Sequence, residues 1–331
     1  MRRSSTGAWR HRKAGCWRCD RGETDGLSRS IGGRCRRSPS ARLQPGLPMT
    51  GASISAGELV RPLPDLAAWT NHFRRTEIPV LRETIDALDA LRANEERTDA
   101  NSIGEMISGD PLMTLKVLAY SSDHRGRRVV TPPETVIAAL VMMGIPPFFR
   151  AFAAPTSVEE RLAASPEALA GLQRVLRRAH RGARFALALA VHRTDPHAAT
   201  VHAAALLHEF AEMLLWCHAP QLALRIRAMQ DAEPTLRSSV AQQTVLGIEL
   251  EELQQALVAA WRLPSLLAET AHEPQGAQTG ARAVALGSRL ARHTATGWEN
   301  AAIPDDVAEV AALLNLSPAA ALALLMEIDA D

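Results

Sequence analysis

Ala203-Ala-Ala-Leu-Leu-His-Glu-Phe-Ala-Glu-Met-Leu-Leu-Trp216 reads as one apolar helical stretch with a polar pair, His208-Glu209, at its centre. Burying an imidazole and a carboxylate side by side is costly unless a metal ion, a hydrogen bond or an open cleft compensates. The stretch therefore marks both the core of a helical protein and its first candidate site. What it does depends on whether enough partner ligands exist elsewhere in the chain.

The bulk composition agrees with a helical reading. Hydrophobic residues make up 47% of the 331 positions but aromatics only 4%, so Ala and Leu dominate. That bias favours packed helices over sheet, and the length allows one large or two modest domains with a real core. The net charge of +1 conceals an asymmetry. Residues 1–48 hold eleven Arg and one Lys against three acidic residues, a local +9, which leaves −8 for the rest. An acidic folded part is a poor binder of phosphate backbones. No apolar run approaches the ~18 residues needed to cross a bilayer. The basic first residues are followed by no apolar segment, so they make no secretory signal. Three of the four cysteines lie in the arginine-rich head, which gives no disulfide framework. A reduced, cytoplasmic protein is the expectation.

Residues 1–48 are expected to be a disordered Arg-rich extension upstream of a start at Met49. Cys16-Trp-Arg-Cys19, with Cys35 and His11 nearby, has the spacing of half a zinc knuckle but lacks the second pair that would make the signal specific. A nucleic-acid arm is the other functional reading of this basic run, and the less favoured one.

From Ile78 onward helix signals follow one another. Leu81, Ile85, Leu88 and Leu91 have amphipathic spacing. Thr98 to Ser102 looks like a cap before Ile103. Asp110-Pro111 reads as N-cap plus first-turn proline for Leu112–Tyr120. Thr131-Pro-Pro-Glu134 is expected to open a helix that stops near Gly144. Further helices are predicted over about 166–191, through the His208 stretch, over 266–272, 281–292, 305–314 and 317–328. No strand and no regular repeat is predicted.

Several of these segments carry a resemblance. Asp110-Pro-Leu-Met-Thr-Leu-Lys-Val-Leu118, Val136-Ile-Ala-Ala-Leu-Val-Met-Met-Gly144, Ala203–Leu215, and Leu246-Gly247 followed by Trp261-Arg-Leu-Pro264 and His272 are similar, in order, to the segments of HDOD domains. These are HD-related output domains of bacterial signalling proteins, and the likeness covers roughly residues 75–275. It implies an all-α fold: an N-terminal segment over 49–76, an N-terminal helical subdomain over 77–160 and an HD-like C-terminal helical subdomain over 161–331. It implies no established catalysis.

An HD hydrolase needs His, His-Asp and a later Asp around one or two metal ions. By this resemblance His180 matches the first histidine, His208 the second, and Glu209 replaces the aspartate. Glu249 or Glu251 stands where a further histidine is expected, and His272-Glu273 replaces a His-His pair. Ala281–Arg292, where the distal aspartate belongs, holds no carboxylate. His180, His208, Glu209 and His272 are thus candidates for a degenerate site, with no metal and no cofactor expected. On the alternative reading His208 and Glu209 cross-link helices in the core, and His180 lies on a helix surface.

Other features rank lower. Asp123, His124, Arg125, Arg127 and Arg128 make a polar loop able to meet an acidic partner or phosphate, although a solvated loop is the commoner explanation. Phe148, Phe149 and Phe152 are expected in the core. Cys217 is expected to pack as a small hydrophobe, and Asp110 to cap a helix rather than act as an acid. The sequence points to a non-catalytic regulatory module whose partner is a protein or a small regulatory ligand. A divergent metal-dependent phosphohydrolase using His180, His208 and Glu209 is the alternative. Oligomeric state is not legible.

Overall fold

Asp110 and Pro111 behave as their chemistry demands. In a computed structural model describing residues 58–123, 133–269 and 279–330, Pro111 opens a helix and Asp110 caps it. One carboxylate oxygen of Asp110 accepts from the amides of Leu112 (2.9 Å) and Met113 (3.1 Å). The other accepts from the Leu81 amide and the Thr84 hydroxyl, both at 2.9 Å, and so ties the cap to the start of the helix Arg82–Arg92. Burial pushes this carboxyl above the usual range while the four hydrogen bonds pull it back.

The helices run α1 (Leu66–Arg75), α2 (Arg82–Arg92), α3 (Ala100–Ile107), α4 (Pro111–Asp123), α5 (Val136–Met143), α6 (Ile145–Ala151), α7 (Val158–Arg161) and α8 (Pro166–His192). They continue as α9 (Ala198–Leu206), α10 (Phe210–His218), α11 (Pro220–Ala232), α12 (Ser238–Leu246), α13 (Leu250–Trp261), α14 (Ser265–Glu269), α15 (Thr279–His293), α16 (Ile303–Leu314) and α17 (Pro318–Ala330). The fold is all-α. Among the described residues the only β pairing is an isolated bridge between Val80 and Ser157.

Two features organise the packing. The first is α4, whose Leu112, Met113, Leu115, Val117 and Leu118 are all buried. A helix apolar on every side must be surrounded. The second is α8, 27 residues and therefore about 40 Å long. Its backbone meets that of α15 directly: a Cβ on Gly287 would lie 2.5 Å from the Gly182 carbonyl oxygen and 2.8 Å from the Ala186 nitrogen. Farther along α8, Gly171 makes room for the Trp216 ring, 2.4 Å from where a Cβ would stand. Helix α17 is pinned to α8 by Arg181, which grips both carboxylate oxygens of Asp329. Residues before and after 160 belong to one compact unit, with the Trp69 indole donating to the Leu246 carbonyl across it.

Two predicted boundaries move. Thr131-Pro-Pro-Glu134 does not open a helix within its described part. The helix starts at Val136, because the Thr135 hydroxyl accepts from the Ala138 amide at 3.2 Å. Glu134 accepts instead from the Thr200 hydroxyl. The larger change concerns the stretch from 203 to 216, which is not one helix. It breaks at residues 207–209 between α9 and α10. The Gln254 side chain of α13 fills the gap, its Nε2 donating to the His208 carbonyl and its Oε1 accepting from the Ala211 amide. One side-chain amide thus satisfies a carbonyl and an amide that the break removes from the helical ladder.

Phe148, Phe149 and Phe152 are core residues, with Phe148 and Phe152 ring centroids 5.0 Å apart. No single described helix is long and apolar enough to cross a membrane.

Candidate functional site

The break at 207–209 turns His208 and Glu209 out of the helical ladder toward a cleft of about 410 Å³. Its walls are α10 with Glu212, the start of α12 with Ser238 and Ser239, the start of α13 with Glu249 and Glu251, and the face of α15 bearing Arg282, Arg289 and Arg292. A neighbouring cavity of about 260 Å³ shares Glu209, Glu212 and Arg292 and adds Arg178 from α8.

Arg178 is the centre of this arrangement. Its Nε lies 2.6 Å from Glu209 and its Nη2 2.6 Å from Glu212. The two carboxylates hold the guanidinium protonated even more firmly than usual, against the cost of burial. Burial raises the Glu212 carboxyl and Arg178 opposes it. A second knot lies on α15, where Arg289 pairs with Asp306 at 2.6 Å and Glu309 at 2.8 Å, and His293 approaches Asp306 at 2.5 Å.

His208 is held neutral. Burial first, then the positive charges of Arg292 and Arg178, push its pKa down to about 4. Its Nδ1 is buried with no hydrogen-bond partner among the described residues. The linkage has a definite sign. With the folded value below the unfolded 6.5, only the unfolded chain takes up a proton between about pH 4 and 6.5. The stabilising contribution is complete above 6.5 and is lost as the pH falls through this window. Urea unfolding of His208→Asn should therefore lose about 2 kcal/mol less than wild type between pH 7 and pH 5. His218, His202, His180 and His72 are also lowered by burial and add slope of the same sign, which the raised carboxyls of Asp110 and Glu212 oppose. Parallel pH profiles for the two proteins would refute the burial of a neutral His208.

The candidate residues divide between separate places. His208 and Glu209 share the cleft with Glu249 and Glu251. His180 lines a different cavity, with Leu81, Arg82, Glu83 and Asp86. Helical geometry explains this: two residues along α8 is a rotation of about 200°, so with Arg178 facing Glu209, His180 faces away. It is half-buried there, and Asp110 and Glu83 oppose the lowering of its pKa by burial. His272, Glu273, the side chain of Asp123, and His124, Arg125, Arg127 and Arg128 lie outside the described residues, as do Cys16, Cys19 and Cys35. Cys217 is buried, its thiol pushed up to about 12 by desolvation.

The described part of the donor set does not fit a divalent cation. Among the described residues no three His, Cys, Asp or Glu converge on a point able to hold a metal ion. Of the candidate ligands, Glu209 is taken up, together with Glu212, by the Arg178 guanidinium. The face of α15 toward the cleft presents arginines where hard-metal chemistry requires oxygen ligands.

Residues 78–275 match the HDOD domain model. The chain belongs to the HDOD family. Solved structures with the same HDOD-like helical architecture include the MmoQ response regulator of Methylococcus capsulatus str. Bath, at 19% identity and TM-score 0.58 over 76% of this chain and 98% of that one. A virulence factor of Campylobacter jejuni subsp. jejuni is similar at 16% identity and TM-score 0.53, over 76% and 90% of the two chains. At these identities the likeness concerns the fold, and function must be argued from the site. The sequence has no significant match among curated proteins.

Proposed function

We propose that this HDOD protein is a non-catalytic, cytoplasmic signalling module that works by binding a protein or a small regulatory ligand. One observation carries the reading: the Arg178 side chain pairs with Glu209, which stands where a metal-dependent hydrolase would hold its ion, and with Glu212 beside it. A cation fixed by its own backbone cannot lower the pKa of a bound water as a Lewis acid does. The helical framework remains as a shaped scaffold with a polar cleft.

The test is a hydrolase assay on full-length protein with bis-p-nitrophenyl phosphate and added Mn²⁺, Mg²⁺ or Ni²⁺, together with elemental analysis. The expected result is turnover equal to that of the His208→Ala variant and metal well below one equivalent. Stoichiometric metal with phosphodiesterase activity abolished by His208→Ala would replace this proposal with a divergent HD-type phosphohydrolase.

A further inference from the structure

The groups of the cleft can be sorted by whether another side chain already satisfies them. Glu209 and Glu212 are both paired with Arg178, and Glu309 and the buried Asp306 with Arg289, so in each trio one guanidinium serves two carboxylates. Among the described residues, what other side chains leave unpaired is Arg282 and Arg292 on α15 and, at the start of α13, Glu251 and Glu249, the latter carboxylate also capping the helix at the Glu252 amide. No ion pair joins these four to one another among the described residues.

Their placement is ordered. Arg282 and Arg292 are ten residues apart, which puts them about 80° apart around the helix and about 15 Å apart along it, on one face of α15, so both side chains must extend toward a phosphate held between them. Ala285, a small residue, stands between them on the same wall. Glu249 and Glu251 lie on an opposing wall with Ser239 of α12. Glu251 and Arg292 are exposed, while Glu249, Ser239 and Arg282 are half-buried. His208, which also lines the cleft, is neutral and half-buried, with a buried, unpartnered ring nitrogen. A cleft of about 410 Å³ falls in the size range of small-molecule sites.

We propose that this cleft binds a phosphorylated polyhydroxy small molecule, its phosphate on Arg282 and Arg292 and its hydroxyls on Glu249 and Glu251. Arginine forks match phosphate oxygens in pairs. Ionised carboxylates only accept hydrogen bonds, so they recognise hydroxyl donors and reject a second anion. A plain anion would meet repulsion from the α13 wall, and a neutral sugar would leave the arginines unused. The ligand must therefore be anionic at one end and rich in donors at the other. The inference rests on the reading that the cleft binds without hydrolysing, and the experiment separates the two.

Calorimetry on the full chain uses three probes: ribose 5-phosphate, inorganic phosphate and ribose. Ribose 5-phosphate is expected to bind at least tenfold more tightly than either fragment. Arg282→Ala and Arg292→Ala should each weaken it about tenfold, and Glu249→Gln with Glu251→Gln should weaken it while inorganic phosphate, relieved of their repulsion, binds more tightly. These side chains are exposed or half-buried, so helical circular dichroism should be unchanged. An independent readout is the His208 ring NMR titration, which should move to higher pH when the phosphate neutralises Arg292. Equal affinity for phosphate and ribose 5-phosphate would overturn the proposal, as would the absence of heat with all three probes. Release of inorganic phosphate from bound ribose 5-phosphate would instead refute the non-catalytic reading while leaving the binding site in place.

Discussion

Arg178→Ala should lower the unfolding free energy by roughly 3 kcal/mol at pH 7, the lower end of the range for removing one partner of a buried ion pair. The substitution leaves Glu209 and Glu212 facing each other with no counter-charge. Their side chains keep 16% and 32% of their surface, so water relieves part of the penalty and the upper end of the range does not apply. The cost comes from the orphaned carboxylates rather than from the lost pair itself. The triple variant Arg178→Met, Glu209→Gln, Glu212→Gln, which removes all three charges, should recover most of the stability. Urea midpoints for the wild type, the single and the triple variant decide the matter. A single variant within 1 kcal/mol of wild type would show that solvent already screens the trio, and the triple variant would then gain nothing.

Gly287→Val should cost at least about 3 kcal/mol, at or beyond the usual range for overpacking. The side chain would be driven into the Gly182 carbonyl and the Ala186 nitrogen, which are backbone atoms with no rotamer to change. The two helices would have to separate, and the apolar contacts along both would loosen with them. Gly182→Ala provides the internal comparison, because its Cβ would stand 3.3 Å from the Ser288 Cα, a contact that a few tenths of an ångström relieve. Thermal melts should rank wild type above Gly182→Ala and both well above Gly287→Val. The reverse order of the two glycine variants would mean that the helix crossing lies elsewhere.

Much of this architecture is legible in the sequence where the signal is local. Asp110-Pro111 declares a helix start because the cap and the first-turn proline are neighbours in the chain. Gly144 declares a stop because a φ of 83° suits glycine. The bend at His208 escapes a local reading, since the group that stabilises it is Gln254, 46 residues away. The cleft shows the same division. His208 and Glu209 stand out as polar residues in an apolar run, whereas Arg178 is passed over in favour of His180 in a segment rich in arginine. A signal was available. Gly171, Val175, Arg178 and Gly182 fall at four-, three- and four-residue spacing, one stripe of α8 in which the other three are buried. A single arginine in a stripe of small and apolar residues marks a buried charge in need of partners.

The Gln254 bridge also bears on how the chain assembles. Residues 198–218 contain no glycine or proline to stop them winding as one uninterrupted rod. The side chain that relieves the kink belongs to a helix synthesised later. The elbow that presents His208 is therefore a product of docking, absent from its own segment in isolation. Any truncation ending before residue 254 deletes the brace while leaving every residue of the elbow in place.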